Sequence, residues 1–227
     1  MLTSSPEVAM DASRCFSLLE AGDASGLQRL LDEDPAAANA RDAAGVSLLM
    51  QALYRGRRDI AAIVAARKGQ LDLFEAASLG MIERLRECLT GSSSVNGFSP
   101  DGFTALHFAC FFGQPEAARI LLQHGAAVDA VAANPMRVMP LHSAASARNT
   151  EAARLLLEHG APVNARQHGG WAPIHAAAQN GDRATMELLL RHDADAQAAN
   201  DEGKTPVMLA RERGHAELIQ LLANPRH

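Results

Sequence analysis

The sequence is poor in aromatic residues: Phe, Trp and Tyr together make up 4% of 227 positions, with a single Trp and a single Tyr. Because 48% of residues are hydrophobic, a continuous core is affordable only if it is built from Ala and Leu, which favours helices at close spacing. Lysine is nearly missing, being confined to Lys68 and Lys204. Lys and Arg total 21 against 26 Asp and Glu, a net charge of −5 and a pI of about 6.0. That balance argues against a general nucleic-acid binder, whose affinity would rest on clustered cations meeting phosphates. The three cysteines, Cys15, Cys88 and Cys110, are odd in number and far apart. They suggest buried, reduced thiols in a cytosolic protein and no disulfide framework. No uninterrupted apolar run is long enough to span a bilayer, and residues 1–10 lack the basic and apolar regions of a signal peptide. The expected location is the cytoplasm. Phosphate-cradling glycine loops, nucleophile elbows and Cys-x-x-Cys pairs are also missing, so neither an enzyme nor a cofactor is expected.

What is present is a repeat. Gly102-Phe-Thr-Ala-Leu-His107, Arg137-Val-Met-Pro-Leu-His142, Gly170-Trp-Ala-Pro-Ile-His175 and Gly203-Lys-Thr-Pro-Val-Met208 align, and their last residues fall 35, 33 and 33 positions apart. A second motif follows the first three at a fixed distance: Leu121-Leu-Gln-His-Gly-Ala126, Leu156-Leu-Glu-His-Gly-Ala161 and Leu189-Leu-Arg-His-Asp-Ala194. Two motifs locked to one period mark a repeat architecture. The residue types fit helix pairs. Thr104 and Thr205 can N-cap a first helix, whereas Met139 and Ala172 stand in that place without a hydroxyl, a loss of about 1 kcal/mol each. Pro140, Pro173 and Pro206 suit a first helical turn. Gly113, Gly181 and Gly214 mark the turn between paired helices, where Arg148 departs from the pattern. Gly125 and Gly160 suit left-handed C-caps, with Asp193 as a tolerable substitute.

These motifs resemble the ankyrin repeat, and the resemblance extends over essentially the whole chain. It implies an all-α solenoid of about seven stacked helix-turn-helix repeats with projecting β-turns, read as a single domain over 1–227. Degenerate repeats span 8–98, clear repeats 99–133, 134–166 and 167–199, and a C-terminal capping repeat 200–227. Helix pairs are expected to begin near Val8, Asp42, Lys68, Ser99, Asn134, Gln167 and Asn200. The loop before Leu71 is expected to be truncated, two extra residues near Ala132-Ala133 lengthen another, and Ser92-Ser93-Ser94 reads as a loop. Terminal repeats are expected to be atypical, since one face meets water.

Nine histidines raise the possibility of a metal site. His107, His142 and His175 are one repeat apart, and a row does not converge on four ligands. The resemblance implies instead that this histidine hydrogen-bonds within and between neighbouring repeats. His124, His159 and His192 fall near helix C-termini, where a ring can meet the end carbonyls; His227 is terminal. Asn164 is expected to brace its hairpin. Arg55-Gly-Arg57-Arg58, with Arg67-Lys68, is the one basic concentration, readable as a solvated turn or as a contact for an acidic partner.

The resemblance also implies that partners meet the projecting turns and the inner face of the first helices. The residues there that solenoid packing does not obviously require are Phe103, Phe111, Phe112, Met136, Val138, Trp171, Gln179 and Asn180. Exposed apolar clusters with polar rims mark interaction sites, and Trp is a typical anchor. Phe111, Phe112 and Trp171 can equally be read as packing between repeats. The expected function is a monomeric, non-catalytic module or scaffold that binds another protein in a rigid groove, without metal, nucleic acid or membrane. Alternatives are a dedicated chaperone or immunity-like partner of one enzyme, and a His-rich metal-binding protein.

Overall fold

A computed structural model describes residues 6–91 and 94–223, with side chains from Ala12 onward. The side chain of Val8, the Ser92-Ser93 pair and His227 lie outside the described residues. Among the described residues there are fourteen α-helices and no strand beyond a single bridge between Arg41 and Ser47. Contacts divide the chain into two compact units, residues 1–75 and 76–227.

The first unit contains α1 (Pro6–Ala21), α2 (Ala24–Glu33), α3 (Leu48–Tyr54) and α4 (Arg58–Arg67), with a 3-10 turn at Pro35–Asn39. Asp23 caps α2 by accepting from Gly26 N, and Ser47 caps α3 by accepting from Met50 N. α1 packs on α3 and α2 on α4, burying Cys15, Leu19, Leu27, Leu31, Leu48, Leu49 and Ile60. Among the described residues, most of the basic concentration seen in the sequence, though not Arg58, is engaged internally. Arg57 pairs with Asp59 and donates to the Gly22 carbonyl, Arg67 pairs with Asp32, and Arg55 lies 3.6 Å from Glu20.

Lys68 is engaged differently, because its side chain is 5% exposed and its partner Glu75 is fully buried. Glu75 closes a capping box with Asp72. The Glu75 N–H donates to Asp72 Oδ1 at 2.9 Å, and the Asp72 N–H donates to Glu75 Oε2 at 3.0 Å. Glu75 Oε1 accepts from the Ser47 hydroxyl at 2.6 Å and from Lys68 Nζ. Both oxygens of the buried carboxylate thus accept hydrogen bonds, three in all, one of them from a cation, which is the condition under which burying it is tolerable.

The boundary between the units falls within α5 (Leu73–Leu79). The second unit continues with α6 (Ile82–Thr90), α7 (Ala105–Phe111), α8 (Pro115–Gln123), α9 (Pro140–Ser146), α10 (Thr150–Glu158), α11 (Pro173–Asn180), α12 (Arg183–Arg191), α13 (Pro206–Glu212) and α14 (Ala216–Ala223). Helices α7, α9 and α13 have seven residues each, too few to persist alone in water, so packing must hold them. First helices stack on one another, α7 on α9, α9 on α11 and α11 on α13. Second helices form a parallel row, α6 on α8, α8 on α10, α10 on α12 and α12 on α14. The second helices bury paired small and large residues at helical spacing: Ala117, Ala118, Ile120 and Leu121 in α8, and Ala152, Ala153, Leu155 and Leu156 in α10. Alanine on the contact face lets the two rows approach closely.

Each repeat ends in a turn closed by a main-chain hydrogen bond across four residues, as in Ser99 N to Phe103 O, Gln167 N to Trp171 O and Asn200 N to Lys204 O. In the second of these four turns the equivalent bond runs from Ala132 N to Val138 O, across six residues, which is where the two extra residues are accommodated. Successive turns are tied to each other by Ala133 N to Gly102 O, His168 N to Met136 O and Asp201 N to Gly169 O, all at 2.8–3.0 Å. Gly102 is required by this contact as well as by its φ of 87°, since a Cβ there would lie 2.8 Å from the Ala133 carbonyl.

The three cysteines are buried as thiols, and burial pushes the Cys110 thiol far up. Alkylation of the unfolded chain without prior reduction is expected to add three labels, whereas the folded chain resists at Cys110; mass spectrometry checks both. For the buried ion pair, Lys68→Ala is expected to cost about 3 kcal/mol of stability in urea denaturation, because it strands a buried carboxylate. Adding Glu75→Gln to that variant is expected to recover part of the loss.

Candidate functional site

The site begins with the histidine row. His107, His142 and His175 each occupy the third position of a first helix, and each has relative exposure of 3% or less. Nδ1 accepts from the backbone N–H of the N-cap residue: Thr104 at 3.3 Å, Met139 at 3.1 Å and Ala172 at 3.0 Å. Nε2 lies 3.0 Å from a carbonyl one repeat onward: Val138 for His107, Ala165 for His142 and Ala198 for His175. An acceptor at one nitrogen and a donor at the other define the neutral Nε2–H tautomer. The hydroxyl that Met139 and Ala172 lack removes half of a capping box, and the ring supplies the other half. The Thr104 hydroxyl lies 2.8 Å from His107 Nδ1. Thr205 departs from the expected cap. Its hydroxyl is buried without a hydrogen-bond partner among the described residues, and position 208 carries Met instead of a ring that could receive it.

A second set of side chains binds the first helices together from their C-terminal ends. Gln114 donates to the Ser78 carbonyl, Asn149 to Cys110, Asn180 to Ala145 and Ser146, and His215 lies 3.2 Å from the Gln179 carbonyl. These bonds satisfy helix-end carbonyls that would otherwise be orphaned. Asn180, expected in the partner groove, spends its amide N–H on this brace. Asn164, expected to brace its own hairpin, instead ties it to the following repeat, donating to Asp193 O and accepting from Asp195 N. His124 and His159 direct Nδ1 to the carbonyls of Ile120 and Leu155, four residues back.

With this frame in place, Met136, Ser146, Gln167, His168, Trp171 and Gln179 surround an open hollow of about 340 Å³. His142 and Ala176 also line it. Trp171 is half-buried and sets its indole edge-on to His175, with ring centroids 5.6 Å apart. The Trp171 carbonyl lies 3.2 Å from His142 Nε2, so its backbone is held while its ring faces the hollow. Met136 is 54% exposed at the tip of the lengthened turn.

The remaining candidates fall elsewhere. Phe103, half-buried, packs edge-on to Phe108 at 5.7 Å. Phe112, also half-buried, stacks on Phe108 at 6.4 Å and meets Phe111 edge-on at 5.2 Å. Phe111 is 45% exposed, so it is the one ring of this cluster that chiefly faces solvent. Val138 does not line the groove as expected. At 6% exposure it belongs to the core, where its carbonyl is held by Ala132 N and by His107 Nε2. Sequence reasoning missed Gln167 and His168, which precede the glycine column of the turn and carried no pattern of their own.

Among the described residues, no group of three or more His, Cys, Asp or Glu is placed to hold a metal ion. No helix there is long and apolar enough to cross a membrane. The family description "Ankyrin repeats (3 copies)" matches residues 65–167 and 162–227. The chain belongs to the ankyrin-repeat family. A similar protein is the "Ankyrin repeat domain-containing protein oryK" of Aspergillus oryzae, 43% identical over 56 residues. That match covers 25% of this chain and 9% of the relative, so the chain corresponds to a small part of that protein. The fourteen helices are thus an all-α ankyrin-repeat solenoid of helix-turn-helix repeats with projecting turns.

The buried histidine row makes ankyrin packing sensitive to acid. Desolvation lowers the pKa of His107 from 6.5 to about 4, and lowers those of His142 and His175 as well. Since each folded value lies below the unfolded one, the unfolded chain binds more protons between them. Stability is therefore complete above pH 6.5 and falls as pH drops toward about 4. For His107 alone the full loss is roughly 3 kcal/mol. Urea midpoints are expected to fall between pH 7 and pH 5, with a shallower fall in His107→Gln; an unchanged midpoint would mean that the row is not held neutral.

Proposed function

We propose that this chain is a non-catalytic protein-binding module whose partner seats in the hollow around Trp171. Ankyrin repeats are in general protein–protein interaction modules. The observation that carries the proposal is the placement of the single indole. Solenoid packing accounts for the Leu and Ala rows, but it does not require a Trp beside an exposed Met on the projecting turns. An indole offers a large apolar face and one N–H, a combination suited to anchoring a partner. Gln167 and Gln179 add amides at the rim. The floor is His142, held by bonds to Met139, Ala165 and Trp171, so the surface exists before the partner arrives and little ordering entropy is lost on binding. The metal-binding alternative is disfavoured, because both ring nitrogens of each histidine in the row are already committed to backbone groups. The partner is another protein. A net charge of −5 does not suit nucleic acid, and the module is proposed to act as a monomer in the cytoplasm.

Trp171→Ala separates the two roles open to the indole. Binding of a captured partner is expected to weaken by about 2 kcal/mol or more, the magnitude of a central anchor. Stability in urea is expected to change by less, because the ring is only half-buried. Normal binding by the variant would remove the hollow from the interface. A large drop in urea midpoint would make Trp171 a packing residue.

A further inference from the structure

Two residues of the repeat that borders the hollow adopt a backbone conformation that their side chains disfavour. Arg137 has φ 52° in the turn column occupied elsewhere by Gly102, Gly170 and Gly203 at 87°, 72° and 76°. Arg148 has φ 57° in the inter-helix column occupied by Gly113, Gly181 and Gly214 at 75°, 67° and 74°. In this left-handed region the Cβ of an L-residue crowds the backbone, which is why glycine holds the other positions. Both arginines are exposed, and neither guanidinium forms an ion pair or hydrogen bond among the described residues. Among the other arginines of these repeats, Arg119 and Arg154 pair with Glu151, Arg166 with Asp201, and Arg183 with Glu187 and Glu217, whereas Arg191, at the end of α12, is exposed without an ion pair among the described residues but has an ordinary helical backbone. The folded chain therefore offers nothing that offsets the strain. Strain kept without a folded-state return is a mark of a functional position.

Their placement indicates the function. Arg137 adjoins Met136 at the tip of the turn, and Arg148 follows α9, whose Ser146 lines the hollow. The two cations thus stand at the turn end and the inter-helix end of one repeat whose Met136 and Ser146 line the hollow. Two turn carboxylates of other repeats are already engaged, Asp101 by the Ser99 hydroxyl at 2.6 Å and Asp201 by Arg166.

We propose that the hollow receives an acidic peptide segment bearing a large apolar side chain, with Arg137 and Arg148 contacting its carboxylates and Trp171 and Met136 contacting the apolar residue. The inference rests on the hollow being the partner surface. A planar guanidinium is suited to paired contacts with carboxylates. Nucleic acid would also present anions, but the overall negative charge and the apolar hollow favour a peptide.

Trp171 is the single Trp, so its emission reports directly on this site. The full chain is titrated with three synthetic peptides that share a central Leu-Phe pair flanked by Glu, by Gln or by Lys, and with a single-stranded oligonucleotide. The Glu peptide is expected to shift Trp171 emission with saturation, binding about tenfold tighter than the Gln peptide, and to lose that advantage as salt is raised. The Arg137→Gly/Arg148→Gly variant is expected to unfold at a higher urea concentration than the native chain while binding the Glu peptide about tenfold more weakly. Weaker binding by a more stable protein cannot be a folding defect. Equal binding of the Glu peptide by the variant and the native chain would overturn the role of the arginines. Equal responses to the Glu, Gln and Lys peptides would overturn the acidic preference while leaving the hollow as a binding surface. Silence toward all three peptides would overturn both readings, and a stronger response to the oligonucleotide would overturn the peptide assignment.

Discussion

The structure depends on a histidine that uses both ring nitrogens at once. Nδ1 holds the N-cap amide of its own helix, and Nε2–H holds a carbonyl in the chain leading to, or forming, the next projecting turn. A single side chain therefore starts a short helix and fixes the spacing to the neighbouring repeat. Seven-residue helices lack the length to be stable on their own, so this double commitment adds to packing in holding α7 and α9 as helices. The same requirement obliges the ring to be neutral, and desolvation keeps protons off it against the opposing pull of the carbonyl hydrogen bonds.

Where the histidine is replaced, the chain shows what the position demands. Glu75 stands in that register and retains the reciprocal capping bond to Asp72, but a carboxylate has no proton to give onward. Ser47 and Lys68 must then bring donors to it. At Met208 no such substitute is present, and the Thr205 hydroxyl above it is buried without a partner among the described residues. The register thus needs a side chain that is both acceptor and donor, and imidazole is the residue that meets the need without a charge.

The repeat from Asn134 to Arg166 concentrates the departures from the common pattern. It carries the lengthened turn, the Met139 cap without a hydroxyl, and the two left-handed arginines. Its neighbours hold its frame through Asn149, Asn180 and the turn-to-turn bonds, so its irregular features are presented on a rigid support. That combination of a firm scaffold and strained, exposed, polar-rimmed apolar residues is the physical basis for treating this face as the binding surface.

The primary structure determined the repeat period, the helix pairs, the histidine row and the lengthened turn, because each rests on local chemistry: capping, proline at a first turn, left-handed glycine and helical spacing of Leu and Ala. It also placed Met136, Trp171 and Gln179 among the candidates, since indole and thioether are conspicuous where packing does not call for them. Tertiary structure alone decided which candidates meet. Val138 and Trp171 share a sequence column, yet one is core and the other lines the hollow, and the turn ending at Val138 closes across six residues where that ending at Trp171 closes across four. Asn180 and Gln179 are adjacent, yet one braces α9 and the other faces the hollow. The direction of a side chain at a helix end or turn tip depends on what the neighbouring repeat offers it, and that is a property of contacts between segments some 35 residues apart, which no local pattern contains.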